Sequence, residues 1–344
     1  PVALAAGLNK AARNHILIRD TSALEQMRNV DVVVFDKTGT LTEGHPTVIG
    51  WLWAQGQEEH YKDVLLAAES TSYHPLAEAI VTALEGEEQV IPAHLDGFEN
   101  ITGKGVRVAY QGAEYWVGSH KDYQANLSDI LADMLTQYES DGNSIVYFGR
   151  ENDLLAVIAI KDQLRVTSME AIRELRTQDI EICMLTGDGE RTASSVAGSL
   201  GIMRFMADAM PDDKEDFIHK LQLQGKTVAM VGDGVNDAQA LSCADVSIAM
   251  GKGTDTLMDT AMITLRTSDL LLLPKVFRLS RQTVSLMYRN LFWAFIYNTV
   301  GIFVAAGVLY PVYDILLSPA LAGAAMALSC VSVALSSLRL SSRF

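Results

Sequence analysis

Three short apolar segments, each followed by a polar turn that contains glycine, constrain the fold of this chain most strongly. The segments cover residues 30–35, 180–185 and 227–231. Continuous apolar runs of this length are typical of strands that are buried on both faces of a parallel sheet. Helical patterns at 166–177 and 213–224 lie between the later segments. This alternation predicts an α/β fold with helices on both faces of the sheet.

An aspartate lies shortly after each of the three predicted strands: Asp36, Asp188 and Asp233. The carboxyl ends of parallel strands meet at one edge of a sheet, where ligands bind. Several buried negative charges at such an edge require a compensating cation, and carboxylates together with substrate phosphates suit Mg²⁺. A single aspartate could merely cap a turn or the next helix. Three at equivalent positions instead predict a magnesium-dependent phosphate site.

A long segment, residues 46–155, interrupts the predicted sheet between its first and second strands. It contains helical patterns first and strand patterns afterwards. The helical patterns lie at 62–69 and 75–85, and the strand patterns lie at 105–110, 115–118 and 144–148. The segment therefore predicts an α+β domain inserted into the α/β domain.

Two segments near the end of the chain, residues 290–310 and 315–338, carry no charged side chain. Each is as long as the roughly 20 residues that cross the hydrocarbon core of a bilayer. Arginines flank the pair on both outer sides, whereas the link at 311–314 has no lysine or arginine. By the positive-inside rule, both outer ends then lie in the cytoplasm. We predict two membrane helices at about 287–310 and 315–338; the alternative is a buried helical hairpin of a soluble domain.

The net charge and the cysteines narrow the partners and the setting of the chain. With 27 Lys and Arg against 42 Asp and Glu, the formal charge is −15. Such a chain lacks the basic face that non-specific nucleic-acid binding needs, so we expect no nucleic-acid partner. Cys183, Cys243 and Cys330 have no metal-finger spacing, and their odd number argues against a disulfide framework. We expect a reducing, cytoplasmic setting.

Three motifs carry a resemblance to a known family. Residues 36–42 read Asp-Lys-Thr-Gly-Thr-Leu-Thr, residues 186–188 read Thr-Gly-Asp, and residues 232–237 read Gly-Asp-Gly-Val-Asn-Asp. In order and spacing they resemble the phosphorylation motifs of P-type ATPases, which belong to the haloacid dehalogenase superfamily. The resemblance covers essentially the whole chain. It implies a Rossmann-like parallel sheet with an inserted nucleotide-binding domain.

The resemblance implies a role for each matching residue. Asp36 would be the nucleophile that accepts a phosphoryl group from ATP, a covalent mechanism that is open to carboxylates. Mg²⁺ would be held by Asp36, Asp233 and the carbonyl of Thr38. The other catalytic residues would offset the charge of the phosphoryl group, bind its oxygens or orient the metal site: Lys37, Lys214, Thr186, Gly187, Asp188, Asn236 and Asp237.

Thr38 distinguishes a pump from a phosphatase. Related hydrolases carry a second aspartate two residues after the nucleophile as a general acid and base, and a threonine cannot activate water in that way. The aspartyl-phosphate is therefore expected to persist. In the family, a Thr-Gly-Glu loop on an actuator domain later drives its hydrolysis, and the chain contains no such loop.

The resemblance also implies that the inserted domain binds the nucleotide. His74 and Pro75 resemble the His-Pro motif of heavy-metal pumps, and His74 would contact the adenine. Glu69 would support the purine. Gly103 and Gly105 would let the backbone approach the nucleotide, because glycine has no side chain to obstruct it.

The two charge-free segments contain a soft, uncharged set of candidate metal ligands: Tyr297, Asn298, Met326, Ser329 and Cys330. Polar groups at membrane depth often mark an ion pathway, and soft ligands select Cu(I). The set resembles the Tyr-Asn and Met-x-x-Ser-Ser patterns of copper pumps, whereas zinc and cadmium relatives would show Lys and Asp instead. The alternative is that these side chains only pack together or face lipid.

The resemblance further implies how the chain is divided. Residues 1–20 would be the cytoplasmic end of a preceding membrane helix with a linker, 21–45 and 156–275 the two parts of the phosphorylation domain, 46–155 the nucleotide-binding domain, and 276–344 the membrane hairpin. A Cys-Pro-Cys metal site, the actuator domain and further membrane helices would precede residue 1.

We therefore predict part of a copper-exporting ATPase of the plasma or inner membrane, with its catalytic domains in the cytoplasm. Its partners would be ATP, Mg²⁺, Cu(I), the lipid bilayer and the remaining pump segments. Three alternatives stay open: a zinc or cadmium pump, a membrane-anchored phosphatase, and a chain that binds nucleotide without catalysis.

Overall fold

The computed structural model describes residues 2–54, 58–72, 74–87, 89–101, 104–118, 129–233, 237–251, 261–306 and 319–342. Their strands form two sheets, one almost entirely parallel and one antiparallel. The predicted α/β fold with a parallel sheet is confirmed, and the three apolar segments that predicted it are strands of that sheet.

The parallel sheet has seven strands in the order β1-β13-β12-β11-β2-β9-β10. Their bounds are β1 Ile16–Ile18, β2 Val32–Asp36, β9 Glu181–Leu185, β10 Arg204–Met206, β11 Val228–Gly232, β12 Val246–Met250 and β13 Ile263–Leu265. Only the edge pair β1–β13 is antiparallel. The strand β2 lies at the centre between β11 and β9, so the residue that ends it lies between two parallel neighbours.

Among the described residues, five shorter helices and one helical turn accompany this sheet. Their bounds are α2 Ser22–Met27, α6 Ser168–Arg176, α7 Glu190–Leu200, α8 Pro211–Leu223, α9 Ala238–Cys243 and the turn Lys37–Leu41, which has an irregular backbone. The helices α6 and α8 correspond to the predicted helical patterns, which are thereby confirmed.

The central strand explains why both faces of the sheet are covered by helices. All five residues of β2 are buried. Val33 and Phe35 pack into the core on the side of α6 and α7, whereas Val32 and Val34 pack into a second core on the side of α8 and α9. Successive side chains of a strand point to opposite faces, so an apolar residue at every position requires cover on both sides.

The second sheet is antiparallel and has the order β3-β8-β7-β6-β5-β4. Its strands are β3 Thr47–Trp53, β4 Gly97–Ile101, β5 Gly105–Tyr110, β6 Ala113–Gly118, β7 Ser144–Arg150 and β8 Asp153–Lys161, and its helices are α3 Glu58–Glu69, α4 Pro75–Glu85 and α5 Asp129–Ser140. The strand and helix patterns predicted in this segment are confirmed. Strand β8 runs on to Lys161, past the predicted domain boundary at residue 155, because its apolar run continues.

Two adjacent linkers join the antiparallel sheet to the parallel one. Thr42 and Leu164 form an isolated antiparallel bridge, and the Glu43 N–H donates to the carbonyl of Gln163 at 2.8 Å. The two linkers therefore leave the parallel sheet side by side.

The surfaces of the two parts also meet through polar contacts between α5, the start of β7 and α7. The Thr192 hydroxyl donates to the carbonyl of Asn143 at 2.7 Å, and Arg191 pairs with Glu139 at 3.0 Å. These contacts bring the first residue of β7 beside the carboxyl edge of the parallel sheet.

Three further helices pack together beside the parallel sheet: α1 Val2–Arg13, α10 Leu272–Ala305 and α11 Pro319–Ser342. Asn290 Nδ2 donates to Ser337 Oγ at 3.0 Å between α10 and α11. The first predicted membrane segment forms the second part of α10, which begins well before it, and the link after α10 lies outside the described residues. Within the part of the chain that the structure describes, no helix is both long and apolar enough to cross a membrane.

Candidate active site

The parallel register brings the predicted acidic turns to one edge of the sheet. Asp36 is the last residue of β2, Thr186 follows β9, and Asp233 follows β11. Because β2 pairs in parallel with both neighbours, these three positions lie at the same carboxyl edge. The edge predicted from sequence is thus where these side chains converge.

Lys214 joins two carboxylates at this edge. Its Nζ donates to Asp36 Oδ1 and to Asp237 Oδ1, each at 2.6 Å. Lys214 comes from the first turn of α8, and Asp237 immediately precedes α9. All three side chains are buried. Burial lowers the pKa of the Lys214 ammonium, but the charges of Asp36 and Asp237 outweigh burial and raise this pKa above its ordinary value.

A second pair, Lys37 and Asp188, lies beside the first. Lys37 Nζ forms an ion pair with Asp188 Oδ2, and Thr186 Oγ1 donates to the same oxygen at 2.9 Å. Burial raises the pKa of the Asp188 carboxyl, but the charge of Lys37 and these hydrogen bonds outweigh burial, so the pKa is lowered. Lys37, predicted to face the phosphoryl group, here faces Asp188.

Ser144, which the sequence did not predict as part of the site, contacts both Lys37 and Asp188. Its hydroxyl donates to Asp188 Oδ1 at 2.7 Å and accepts from Lys37 Nζ at 3.3 Å. Ser144 is the first residue of β7, so it comes from the antiparallel sheet. No motif marks this serine, since its position depends on how the two sheets meet.

The turn after β2 needs glycine at position 39. Gly39 has φ +73°, a left-handed backbone conformation that residues other than glycine rarely adopt. A Cβ at this position would also collide with the carboxylate of Asp233. The turn therefore lies directly against Asp233, and Thr38 before it has an extended backbone with φ −73° and ψ 128°.

The acidic residues at this edge fit a divalent cation. Asp36, Asp233 and Asp237 bring three carboxylates to one place, and Lys214 pairs with Asp36 and Asp237. Among the residues that the structure describes, Asp237 Oδ2 is buried without a hydrogen-bond partner. Burial and the charge of Asp36 raise the pKa of Asp237 despite the opposing charge of Lys214. Several carboxylate oxygens in one place are the ligands that Mg²⁺ prefers.

Two residues outside the predicted catalytic set, Asp162 and Arg165, brace the turn after β2. Arg165 donates to the carbonyl of Gly39 at 2.6 Å and to that of Thr40 at 2.9 Å. Asp162 accepts from Thr42 Oγ1 at 2.5 Å. Both residues lie just after β8, so the return linker from the antiparallel sheet holds the turn that follows Asp36. The signal was weak because an arginine near an aspartate is common on protein surfaces.

His74 and Pro75 lie at the start of α4. Pro75 is the first helical residue, and His74 Nδ1 accepts from the Leu76 N–H at 3.2 Å. His74 as a residue is exposed, yet partial burial of its ring disfavours the charged form and lowers the pKa of the imidazole. This effect outweighs the charges of Asp188 and Asp36, which act in the opposite direction. The ring is therefore neutral at pH 7 and within electrostatic reach of the carboxyl edge.

Of the other residues predicted to bind nucleotide, Glu69 and Gly105 lie in the described part of the chain and Gly103 does not. Glu69 ends α3 and is buried. Gly105 begins β5 with φ +132°, and a Cβ there would collide with the Val117 carbonyl, so glycine is required. Gly103 and the catalytic candidate Asn236 lie outside the described residues, whereas Gly187 lies between Thr186 and Asp188 in the turn after β9.

Burial raises the pKa of Glu69 to about 7. Because the folded pKa exceeds the unfolded value, the stability that this carboxyl contributes is present below about pH 4 and is lost as pH rises through about 7. We expect Glu69→Gln to raise the free energy of unfolding by on the order of 2–3 kcal/mol at pH 8.5 and to change it little at pH 4. Chemical unfolding of both chains at the two pH values measures this.

Glu85→Gln is the matched control, since Glu85 is exposed at the end of α4. It should leave the free energy of unfolding unchanged at both pH values. An equal effect of Glu69→Gln at pH 4 and pH 8.5 would show that ionisation of this carboxyl is not the cause.

The predicted copper ligands lie on the two long helices. Tyr297 and Asn298 are exposed on α10, where the ring of Tyr297 stacks on that of Trp293 with centroids 5.8 Å apart. Ser329 is half-buried on α11. Met326 and Cys330 belong to the same helix, and their side chains lie outside the described residues. This ligand set stays a prediction.

Comparison with known proteins decides the family. The profile of haloacid dehalogenase-like hydrolases matches residues 30–245. The chain belongs to this family. The first strand inside the matched range is β2. Its last residue, Asp36, contacts Lys214.

This haloacid dehalogenase-like chain is also similar to metal-exporting pumps over almost its whole length. A copper-exporting P-type ATPase of Legionella pneumophila is 42% identical over 342 residues, which are 99% of this chain and 46% of that protein. A silver-exporting P-type ATPase of Salmonella typhimurium is 44% identical over 348 residues, 99% of this chain and 42% of that protein. The chain thus spans less than half the length of these relatives.

Solved structures give the same result. The crystal structure of a zinc-transporting PIB-type ATPase in its E2.Pi state has a TM-score of 0.68 and 35% identity, covering 99% of this chain and 55% of that one. The catalytic domain of the CPx-ATPase CopB-B has a TM-score of 0.66 and 28% identity, covering 78% of this chain and 97% of that one. The predicted resemblance to heavy-metal P-type ATPases is confirmed.

Proposed function

We propose that this chain is the phosphorylation and nucleotide-binding part, with two membrane helices, of an ATP-driven pump that exports Cu(I). The observation that carries the proposal is the contact of 2.6 Å between Lys214 and Asp36 at the carboxyl edge of the parallel sheet, with Asp233 and Asp237 beside it. A nucleophilic carboxylate next to a fixed cation is what phosphoryl transfer from ATP needs.

In the proposed reaction, a carboxylate oxygen of Asp36 attacks the γ-phosphorus of ATP. The bond from that phosphorus to the β–γ bridging oxygen breaks, and ADP leaves with the electron pair. Lys214 offsets the charge of the arriving phosphoryl group. The hydroxyl of Thr186, which donates to Asp188 Oδ2 before ATP arrives, would turn to donate to one of the phosphoryl oxygens. Asp36, Asp233 and the carbonyl of Thr38 would hold Mg²⁺, which would supply positive charge opposite the phosphate oxygens.

The remaining catalytic residues act around this reaction. Lys37 and Asp188 form a buried pair that holds the Thr186 turn, so both position the phosphate site. Asn236 would bind a phosphate oxygen, and Asp237 holds Lys214 in place. Thr38 cannot serve as a general base, so water is not activated beside the aspartyl-phosphate and the intermediate persists.

The antiparallel sheet and its helices form the nucleotide-binding domain in this proposal. His74, with Nδ1 engaged by the helix start, keeps Nε2–H free to donate to the adenine. Protonated Glu69 can donate to the purine, and the backbone at Gly103 and Gly105 leaves room for the nucleotide.

Two observations support placing the two long helices in a bilayer. Residues 290–310 carry no charged side chain. The large apolar side chains Phe295, Ile302 and Leu328 are exposed, and exposed apolar surface of this kind needs lipid or a partner to cover it. We propose that the full segments 290–310 and 315–338, each of which includes residues outside the described ranges, span the membrane beside upstream helices of the pump. The catalytic domains then lie in the cytoplasm.

The proposed cargo is Cu(I), bound by Tyr297, Asn298, Met326, Ser329 and Cys330 together with upstream ligands. The soft donor set supports this choice. So does the similarity to copper- and silver-exporting relatives. The similarity to a zinc-transporting structure keeps zinc as the second candidate.

Trapping of the intermediate tests the reaction. The chain, folded in detergent and incubated with Mg²⁺ and γ-labelled ATP, should acquire label that is stable in acid and released by hydroxylamine. Rapid hydrolysis of small phosphate esters without trapped label would instead indicate a phosphatase. Tight ATP binding without label under any condition would indicate a chain that does not catalyse. Joining the upstream segments and measuring which metal stimulates ATP hydrolysis then tests the cargo.

A further inference from the structure

A cluster on the surface of the parallel-sheet domain brings three different kinds of metal ligand together. We call it the α8–α9 cluster and define it as the side chains of Glu215, His219 and Cys243. Glu215 and His219 lie one turn apart on α8, and Cys243 is the last residue of α9. Cys243 Sγ is 3.3 Å from Glu215 Oε1, His219 Nε2 is 3.5 Å from the same oxygen, and all three ligand atoms lie within 4.8 Å of one another.

These distances match the ligand spacing of a tetrahedral zinc site. Zn²⁺ bonds of about 2.0 Å to oxygen and nitrogen and about 2.3 Å to sulfur separate neighbouring ligand atoms by roughly 3.3–3.6 Å. The two separations to Glu215 Oε1 already fall in that range. The remaining pair, Cys243 Sγ and His219 Nε2, needs at most a small side-chain adjustment.

Gln222 orients the histidine for this purpose. Its Nε2 donates to the carbonyl of Cys243 at 2.9 Å and to Asp245 Oδ2 at 3.2 Å, so its Oε1 is left as an acceptor. That oxygen is 3.1 Å from His219 Nδ1. Nδ1 can donate a ring hydrogen to this oxygen, which leaves the lone pair of Nε2 available to a metal between Glu215 and Cys243. Metal-binding histidines typically donate their other ring N–H to such an acceptor.

We propose that the α8–α9 cluster binds a divalent cation of the zinc class through Glu215, His219 and Cys243, with water as the fourth ligand. Thiolate, imidazole and carboxylate together suit Zn²⁺, whereas Cu(I) takes thiolate and thioether groups. The thiol hydrogen that Cys243 directs at Glu215 leaves to solvent when the metal binds. The site is separate from the Mg²⁺ residues and from the proposed membrane ligands.

The site connects the two helices that hold the Lys214–Asp237 pair. Lys214 directly precedes Glu215 on α8, and Asp237 directly precedes α9, which Cys243 ends. A cation bound between Glu215 and Cys243 ties α8 to α9. Occupancy is therefore expected to stabilise the domain that carries these helices.

Cobalt binding to the whole chain in detergent tests the site without ATP. We expect about one equivalent of Co²⁺ to give a thiolate-to-cobalt charge-transfer band that Zn²⁺ abolishes. Cys243→Ser should remove the band, and His219→Asn and Gln222→Leu should weaken cobalt binding roughly 10- to 100-fold. His94→Asn, at an exposed histidine of the antiparallel-sheet domain, is the control and should bind as the parent does.

A second readout is the thermal midpoint of unfolding, which Zn²⁺ should raise in the parent and the control but not in Cys243→Ser. Absence of the band in the parent, or a band of unchanged strength in Cys243→Ser, would overturn the proposal. Neither measurement involves phosphorylation. A chain that takes no label from ATP can still bind cobalt, so this proposal and the proposed function fail independently.

Discussion

Asp36→Asn is expected to lose all phosphoenzyme labelling from ATP. The amide oxygen is a far weaker nucleophile than the carboxylate, and the change also removes the charge that faces Lys214 at 2.6 Å. Removal of a nucleophile that forms the covalent intermediate costs on the order of 10⁴-fold or more in rate, which is below detection in a labelling assay. Acid-quenched gels with γ-labelled ATP and Mg²⁺ measure the effect.

The control is Asp179→Asn, at an exposed aspartate with φ +62°, a conformation that asparagine tolerates well. It should label as the parent does. Because Asn fits the space of Asp, the Asp36 variant should still bind ATP, which a fluorescent nucleotide analogue can report. Label that persists in Asp36→Asn at parental strength would place the acceptor elsewhere.

Lys214→Met is expected both to abolish labelling and to destabilise the parallel-sheet domain. The change leaves Asp36 and Asp237 buried beside each other without their shared cation. Breaking a buried ion pair by removing one partner costs about 3–5 kcal/mol. The cost should grow as pH rises, because burial and the charge of Asp36 raise the pKa of Asp237 to about 7, and protonation of Asp237 at low pH relieves the repulsion. Chemical unfolding between pH 5 and pH 8, alongside labelling, measures both effects.

A second substitution separates the two effects of Lys214→Met. Adding Asp237→Asn removes one of the stranded charges, so the double variant should recover much of the lost stability while remaining unlabelled. Lys226→Met, at an exposed lysine of the same domain, should change neither property. Recovery of labelling in the double variant would mean that Lys214 only neutralises Asp237 and does not act on the phosphoryl group.

The sequence predicts which residues converge at the carboxyl edge because the information there is local. A strand that is buried on both faces must be apolar at every position, as β2 is, so the polar residues that interrupt the pattern stand out at its end. Parallel pairing then brings Asp36, Thr186 and Asp233 together without any knowledge of distant contacts. Lys214 was found only through the family resemblance, since nothing local marks a lysine in a helical turn.

Residues that depend on the meeting of distant segments could not be predicted in this way. Ser144 reaches Asp188 only because the antiparallel sheet lies against α7, and Arg165 reaches the Gly39 carbonyl only because the return linker passes beside that turn. Serine and arginine are also common on surfaces, so their identity carries little signal. The extent of β8 was missed for a different reason: the apolar run that enters the linker has no turn residue to end it before Lys161.

The paired linkers have a consequence for how the molecule can move. Because Thr42 and Leu164 bridge each other, the antiparallel-sheet domain is suspended from a two-stranded ribbon instead of a single thread. Two bridged linkers constrain the antiparallel sheet more than one linker would, because neither can move without the other. Ser144 contacts Asp188 from the antiparallel sheet, and Arg165 in the return linker contacts the turn after Asp36. If the antiparallel sheet binds nucleotide as proposed, a shift of that sheet would therefore act on the backbone next to Asp36.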